Sequence, residues 1–365
     1  MVIYIVTRYK GCVAAVIRGA DPRCFAMVMA TGIVSVALRL AGSLGLSAAL
    51  LWVAAAAFVV LVVASAGRVV AFGPDVWREL RRPDRMFGYF AFPAAASVLA
   101  ARLADHPVRW PTGLAGVIAA LTAATALAWV AVTWAVVAFL AGWAGPRRAA
   151  AEVNGTWQLW VVGTQSVAIA ATSASAAGIV PGRLAGLRLA AWAAVVAWSL
   201  GAALYPAVTA LVVTRLRVAG LGPGDPVAPY WVTMGAASIT VLGAEQVGQL
   251  THAAGPALAG FRSPLTAAGL AFWSVATGLI PALLVLGAVR WRRRGPLAPR
   301  GFFREWWMIV FPVGMYSTAS MRIGAAASLP PVRDVGTAAA WIAAAVWAAV
   351  FTWMIVSTAI RLRRL

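Results

Sequence analysis

The sequence predicts an all-α polytopic membrane protein with ten transmembrane helices. Three observations carry that prediction. Of the 365 residues 62% are hydrophobic and only 11% charged, with a mean hydropathy of +0.86, whereas soluble domains run about 45–50% apolar and about 25% charged. Apolar runs recur from end to end, and a hydrocarbon core of about 30 Å needs about 20 such residues per helix. The basic residues are scattered in short loops between those runs, which is how membrane topology is encoded.

Residues 1–24 contain Arg8, Lys10, Arg18 and Arg23, are too interrupted to span, and lack a signal-peptide pattern. They read as a short cytoplasmic N-terminal segment. Cutting at Arg, Pro and Gly clusters places spans near 25–41, 47–72, 86–104, 112–142, 155–177, 185–214, 229–249, 264–289, 306–326 and 336–360. Residues 25–360 thus form one ten-helix domain, and 361–365 a cytoplasmic tail. An even count puts both termini on one side. That side holds 22 of the 30 Lys and Arg residues and the other holds 8, so the positive-inside rule predicts cytoplasmic termini for a multi-pass protein of the cell membrane.

Several function classes are excluded at this level. The formal charge of +20 is spread over many loops and not gathered on one soluble face, so nucleic acid is not the expected partner. Cys12 and Cys24 both precede the first span, and no CxxC occurs, which argues against a disulfide or a cysteine metal site. His106 and His252 fall in predicted outer loops, HExxH and GxSxG are missing, and no acidic pair lies within a span. No enzyme activity, cofactor or metal is expected. Asn154-Gly-Thr156 matches a glycosylation sequon but sits at a cytoplasmic helix start.

The odd-numbered spans differ from the even ones. They open FAMVMATGIVS, FGYFAFPAAAS, WQLWVVGTQS, YWVTMGAAS and WWMIVFPVGMYS, turning from aromatic to small and polar residues. Even spans such as LLWVAAAAFVVLVVA are blander. Interfacial aromatics and close helix packing account for this without any function. The alternative is that odd helices form an inner ring around a central pore, since irregular backbone is tolerated where it lines a cavity. Pro206 and Pro281 lie in even spans and blur the division.

Four stretches carry a family resemblance: Phe25 to Ile33 (FAMVMATGI), Asn154 to Ser166, Pro229 to Gly235 (PYWVTMG), and Trp306-Trp307 with Phe311-Pro312-Val313-Gly314. Together they resemble the tellurite-resistance/dicarboxylate transporter family, which includes malate permeases, sulfite efflux pumps and slow anion channels. The resemblance covers about residues 22–360. It implies five hairpins with odd helices enclosing a pore in each subunit of a homotrimer. It also implies that Phe311, beside Pro312, plugs the pore; without the resemblance Phe311 reads as core packing. Gly32 resembles a pore-lining position where a larger side chain would obstruct, and Gly314 belongs to the ninth-helix motif. The ATG of the first motif and Arg322 on the ninth helix depart from the better-studied branches, so the substrate is not inherited.

The remaining candidates are read from the residues. Arg322 lies eleven positions after Phe311, on the same helical face and about 16 Å toward the outside. It either favours anions in an outer vestibule or neutralises a neighbour. Glu245 is the carboxylate well inside a span, either a proton acceptor or a partner of Arg322 or water. Thr31, Ser35, Ser97, Thr164, Gln165, Ser166, Ser238, Thr240, Ser317 and Ser320 offer neutral hydrogen-bonding groups along a path, or bonds to their own helices. Phe92-Pro93 is either a second constriction or a helix-facing ring at a kink. The expected function is passage of small inorganic or organic anions through a Phe-gated pore; the alternative is a proton-coupled C4-dicarboxylate carrier or an exporter of tellurite-like or sulfite-like oxyanions. Five similar pairs, without an inverted repeat, lean toward a pore.

Overall fold

The computed structural model describes residues 21–105, 112–142, 153–180, 182–222, 225–294 and 302–363. Among them all regular structure is helical. Helix α1 (Phe25–Leu40) follows a 3-10 turn at Pro22–Cys24. Then come α2 (Leu44–Glu79) and α3 (Ala91–Ala104), the latter preceded by a short helix at Pro83–Met86 and a 3-10 turn at Phe87–Phe90. The chain continues through α4 (Thr112–Ala141), α5 (Gln158–Ala176), α6 (Arg183–Ala219), α7 (Trp231–Ala253), α8 (Arg262–Arg294), α9 (Phe302–Ala326) and α10 (Pro330–Leu362). Seven of these stretches, those holding α1, α2, α3, α4, α6, α8 and α10, are long and apolar enough to cross a membrane. The other three carry Gln165, Glu245 and Arg322.

Packing follows chain parity. Helix α1 packs on α3, α3 on α5, α5 on α7, α7 on α9, and α9 on α1. Each even helix packs on the odd helix before it and on the next odd helix, with α10 returning to α1. Burial divides the same way: 72% of the α1 window and 78% of the α3 window are buried, against 17% for α2 and 11% for α8. Met29, Ile33, Phe90, Trp157 and Phe311 fill the space between odd helices. Even helices instead expose Trp52, Leu127 and Trp134, an apolar surface that hydrocarbon accepts and water does not.

A recurring hydrogen bond ties the two sets of helices. Trp129 Nε1 on α4 donates to Thr164 Oγ1 on α5 at 3.0 Å, and Trp198 Nε1 on α6 to the Thr240 carbonyl on α7 at 2.9 Å. Trp273 Nε1 on α8 donates to Ser320 Oγ on α9 at 2.8 Å, and Trp347 Nε1 on α10 to Thr31 Oγ1 on α1 at 2.9 Å. Between α2 and α3 the same place is taken by stacking of Phe58 on Phe92, with ring centroids 5.9 Å apart. A buried indole N–H needs an acceptor, and a hydroxyl that gives its proton to its own helix still has lone pairs to accept.

Helices α2, α6, α8 and α10 outrun their predicted spans. Helix α2 continues past residue 72 to Glu79, bending at Phe72 (φ −136°, ψ 34°) two residues before Pro74. Arg68, inside the span expected near 47–72, is helical and buried. Pro93, read from the sequence as the mark of a constriction or a kink, falls in the first turn of α3, where the missing N–H has no intrahelical partner to lose. His252 lies in the last turn of α7 and not in a loop, while His106, Arg8, Lys10 and Cys12 lie outside the described residues.

Candidate functional site

Two adjoining cavities lie where the odd helices end. The wider, about 280 Å³, is lined by residues of α3, α5, α6, α7 and α9, including Thr172, Ser173, Gln249, Asp105 and Arg322. The narrower, about 20 Å³, takes residues from all five odd helices. Helix α1 gives Ile33 and Val36, α3 Val98, α5 Ile169, α7 Leu242 and α9 Met315, while Asp105, Gln246, Thr318 and Arg322 are its polar members. Ala101, Asp105, Gln246 and Arg322 line both and form the neck between them. The slot has room for about one water molecule.

Residues Phe311, Met315, Thr318 and Arg322 recur at spacings of 4, 3 and 4, one face of α9. Phe311 is fully buried one turn below Met315. The helix runs on through Pro312, giving up one backbone bond. Phe311 and Pro312 rest on α7 at Gly235: a Cβ there would stand 2.9 Å from Phe311 Cε1 and 3.1 Å from Pro312 Cγ. Gly235 was not singled out from the sequence as a site residue. A glycine facing a Phe-Pro pair was visible as two separate motifs, but their pairing is a tertiary fact.

Arg322 stands in the neck, and its Nη2 donates to Asp105 Oδ1 at 3.2 Å. Arg39 Nε reaches Asp105 Oδ2 at 3.2 Å. Of the alternatives left open for Glu245, an ion pair with Arg322 is not seen among the described residues. Glu245 is 4% exposed, its Oε1 accepts from Gln249 Nε2, and its Oε2 has no hydrogen-bond partner among the described residues. Asp105 ends α3, which brings it to Arg322 across 217 positions of chain. Gln246 was also missed; one position beyond Glu245, its Oε1 accepts from Thr172 Oγ1 at 2.9 Å.

The neutral candidates sit between helices and not along the slot. Thr31 donates to the Met27 carbonyl, Thr164 to Trp160, Ser238 to Met234 and Thr240 to Ala236, each four residues back at 2.7–2.8 Å. In a low dielectric a hydroxyl bonds its own helix when no water is present. Gln165 Nε2 joins the Trp198 carbonyl to Thr240 Oγ1. Gly32 and Gly314 are close-approach sites: added Cβ atoms would lie 2.8 Å from Val98 Cγ1 and 3.0 Å from Ile33 Cγ2. Phe92 packs edge-on against Phe25 and flat on Phe58, so its ring faces α1 and α2. Pro93 is buried, and its carbonyl lies 3.4 Å from Thr125 Oγ1 of α4. The slot is thus lined by aliphatic side chains of the odd helices, with its polar groups concentrated toward the neck.

Two curated relatives, both uncharacterized membrane proteins of Mycobacterium tuberculosis (strains CDC 1551 / Oshkosh and ATCC 25618 / H37Rv), are 39% identical over 153 residues. The match covers 42% of this chain and 75% of each relative. The family described as SLAC1, voltage-dependent anion channel, matches residues 20–355. With almost the whole chain matched, this multi-pass membrane protein belongs to the SLAC1 family of anion channels and transporters, the tellurite-resistance/dicarboxylate transporter family.

Proposed function

We propose that the chain passes small anions across the cell membrane through a path bounded by its five odd helices and closed at Phe311. The observation that carries this reading is the slot, which draws lining residues from α1, α3, α5, α7 and α9. The cyclic packing of odd helices and the recurring Trp ties support five hairpins with an inner and an outer ring. The stripe from Arg322 to Phe311 supports Phe311 as the closing side chain, held against Gly235 by Pro312. The charge split between loops supports cytoplasmic termini, and the exposed apolar faces of the even helices suit lipid or the neighbours of a homotrimer. The role is transport and not catalysis.

The test is anion flux in proteoliposomes with Phe311→Ala beside the wild type. Truncating the ring should raise flux for several anions; unchanged flux in folded protein would sink the gate. One observation favours a second reading, a proton-coupled carrier of dicarboxylates or other oxyanions. Glu245 is a buried carboxylate near the neck whose Oε2 has no hydrogen-bond partner among the described residues, and intramembrane acids serve proton relays. In that case flux follows a pH gradient and Glu245→Gln abolishes the dependence.

A further inference from the structure

Asp105 stands in the neck between two arginines that arrive from different helices. Arg39 Nε of α1 lies 3.2 Å from Oδ2, and Arg322 Nη2 of α9 lies 3.2 Å from Oδ1. Each carboxylate oxygen thus meets one guanidinium N–H. All three side chains are partly shielded, at 18% exposure for Arg39, 25% for Arg322 and 32% for Asp105. Arg322 keeps further capacity, since its buried Nε has no hydrogen-bond partner among the described residues. The site lies at the C-terminal ends of the odd helices, whose dipoles repel anions. An anion passing here needs the arginines to offset that field, and in this structure Asp105 holds both.

We propose that Asp105 is a tethered stand-in for the transported anion. Its carboxylate occupies a two-arginine site that recognises small, singly charged oxyanions with two coplanar oxygens, and an entering anion must displace it. The inference rests on the reading of the slot as an anion path. A carboxylate or nitrate ion presents two oxygens at the spacing that Asp105 now presents, so Arg39 and Arg322 each keep one charge-assisted bond. A halide is a single point and cannot satisfy two donors set around a planar group in the same way. Asp105 also keeps the site from becoming a trap, since conduction needs binding weak enough to release. Without it, two guanidiniums would hold an anion more tightly.

The test is initial flux against concentration for formate, nitrate and chloride in proteoliposomes, in wild-type and Phe311→Ala backgrounds. Asp105→Asn should lower the half-saturating concentration of formate and nitrate about tenfold, equivalent to about 1.4 kcal/mol, and that of chloride by less. Arg39→Gln and Arg322→Gln should raise the formate and nitrate values more than the chloride value. Asp105→Glu, which keeps the carboxylate, should stay near wild type. An Asp105→Asn protein whose formate-to-chloride ratio equals that of the wild type overturns the proposal, as does a higher formate value. Should Asp105→Asn not fold, an unchanged formate-to-chloride ratio in both arginine variants overturns it equally. A rise in flux from Phe311→Ala, with anion ratios in that background unmoved by Asp105→Asn, keeps the path and removes the neck site. If Phe311→Ala changes nothing, formate binding to solubilised Asp105→Asn still decides the neck site: tighter binding supports it and equal binding removes it.

Discussion

Gly235 of α7 and Phe311 of α9 approach so closely that the smallest side chain would not fit between them. A Cβ on Gly235 would stand 2.9 Å from Cε1 and 3.3 Å from Cδ1 of the Phe311 ring, with Pro312 Cγ at 3.1 Å. The glycine is a seat for the Phe-Pro pair. Gly235→Ala should therefore overpack this contact and lower stability by about 1–3 kcal/mol. Most of that loss should vanish in a Phe311→Ala background, because the ring supplies two of the three near atoms. A double-mutant cycle on thermal unfolding in detergent measures the coupling, and additive losses would show that the two residues do not share the contact.

The Trp ties between even and odd helices are expected to be additive and modest. Trp273→Phe removes the donor to Ser320, and Trp347→Phe the donor to Thr31. Each should lower stability by about 1 kcal/mol, whereas Trp134→Phe, on an indole 75% exposed, should change it little. Equal effects from all three would mean that indole bulk, and not the hydrogen bond, is what counts.

Much of the architecture was legible because a bilayer leaves few choices. Hydropathy and span length placed the helix ends within seven residues, and the contrast between odd and even spans foreshadowed which would be buried. What escaped were contacts between distant positions. Asp105 looks in sequence like an ordinary loop acid at the edge of α3, and nothing local tells that it meets Arg322. Of the two readings of the hydroxyls, bonding to their own helices is the one seen at Thr31, Thr164, Ser238 and Thr240, because within a bilayer a Ser or Thr side chain finds its nearest acceptor on its own backbone. Arg102, one of the eight basic residues assigned to the outer side, is 3% exposed inside α3.

Asp225 gives a pH-dependent contribution on the face where the odd helices begin. Burial pushes its carboxyl upward, but the Gly222 N–H at 2.9 Å and the Arg215 guanidinium at 2.7 Å hold it below the ordinary aspartate range. A depressed carboxylate stabilises the fold above its unfolded value of about 3.9, and that contribution is lost as pH falls through the lowered folded value. Unfolding followed from neutral pH into acid should show a loss of stability that is weaker in Asp225→Asn. An identical acid slope in the two proteins would mean that Asp225 contributes nothing through its charge.

Arg102 poses the reverse problem, a buried cation whose described hydrogen bonds go to hydroxyls. Ser35 Oγ donates to the Ser47 carbonyl and Ser47 Oγ to the Ser35 carbonyl, both at 2.7 Å. The lone pairs left over accept from Arg102 Nε at 3.1 Å and Nη2 at 3.0 Å, while Nη1 has no hydrogen-bond partner among the described residues. The clasp joins α1 to α2 through two serines and hangs α3 from it. Removing an acceptor while the cation stays is the damaging change, because a buried charge then loses a partner. Ser47→Ala should lower stability by about 1–3 kcal/mol. Arg102→Leu should lower it less, and the Arg102→Leu, Ser47→Ala double variant should recover part of the serine loss. Unfolding of the three variants in one detergent decides the matter: if the double variant is worse than both singles by their sum, the serines do not serve the guanidinium.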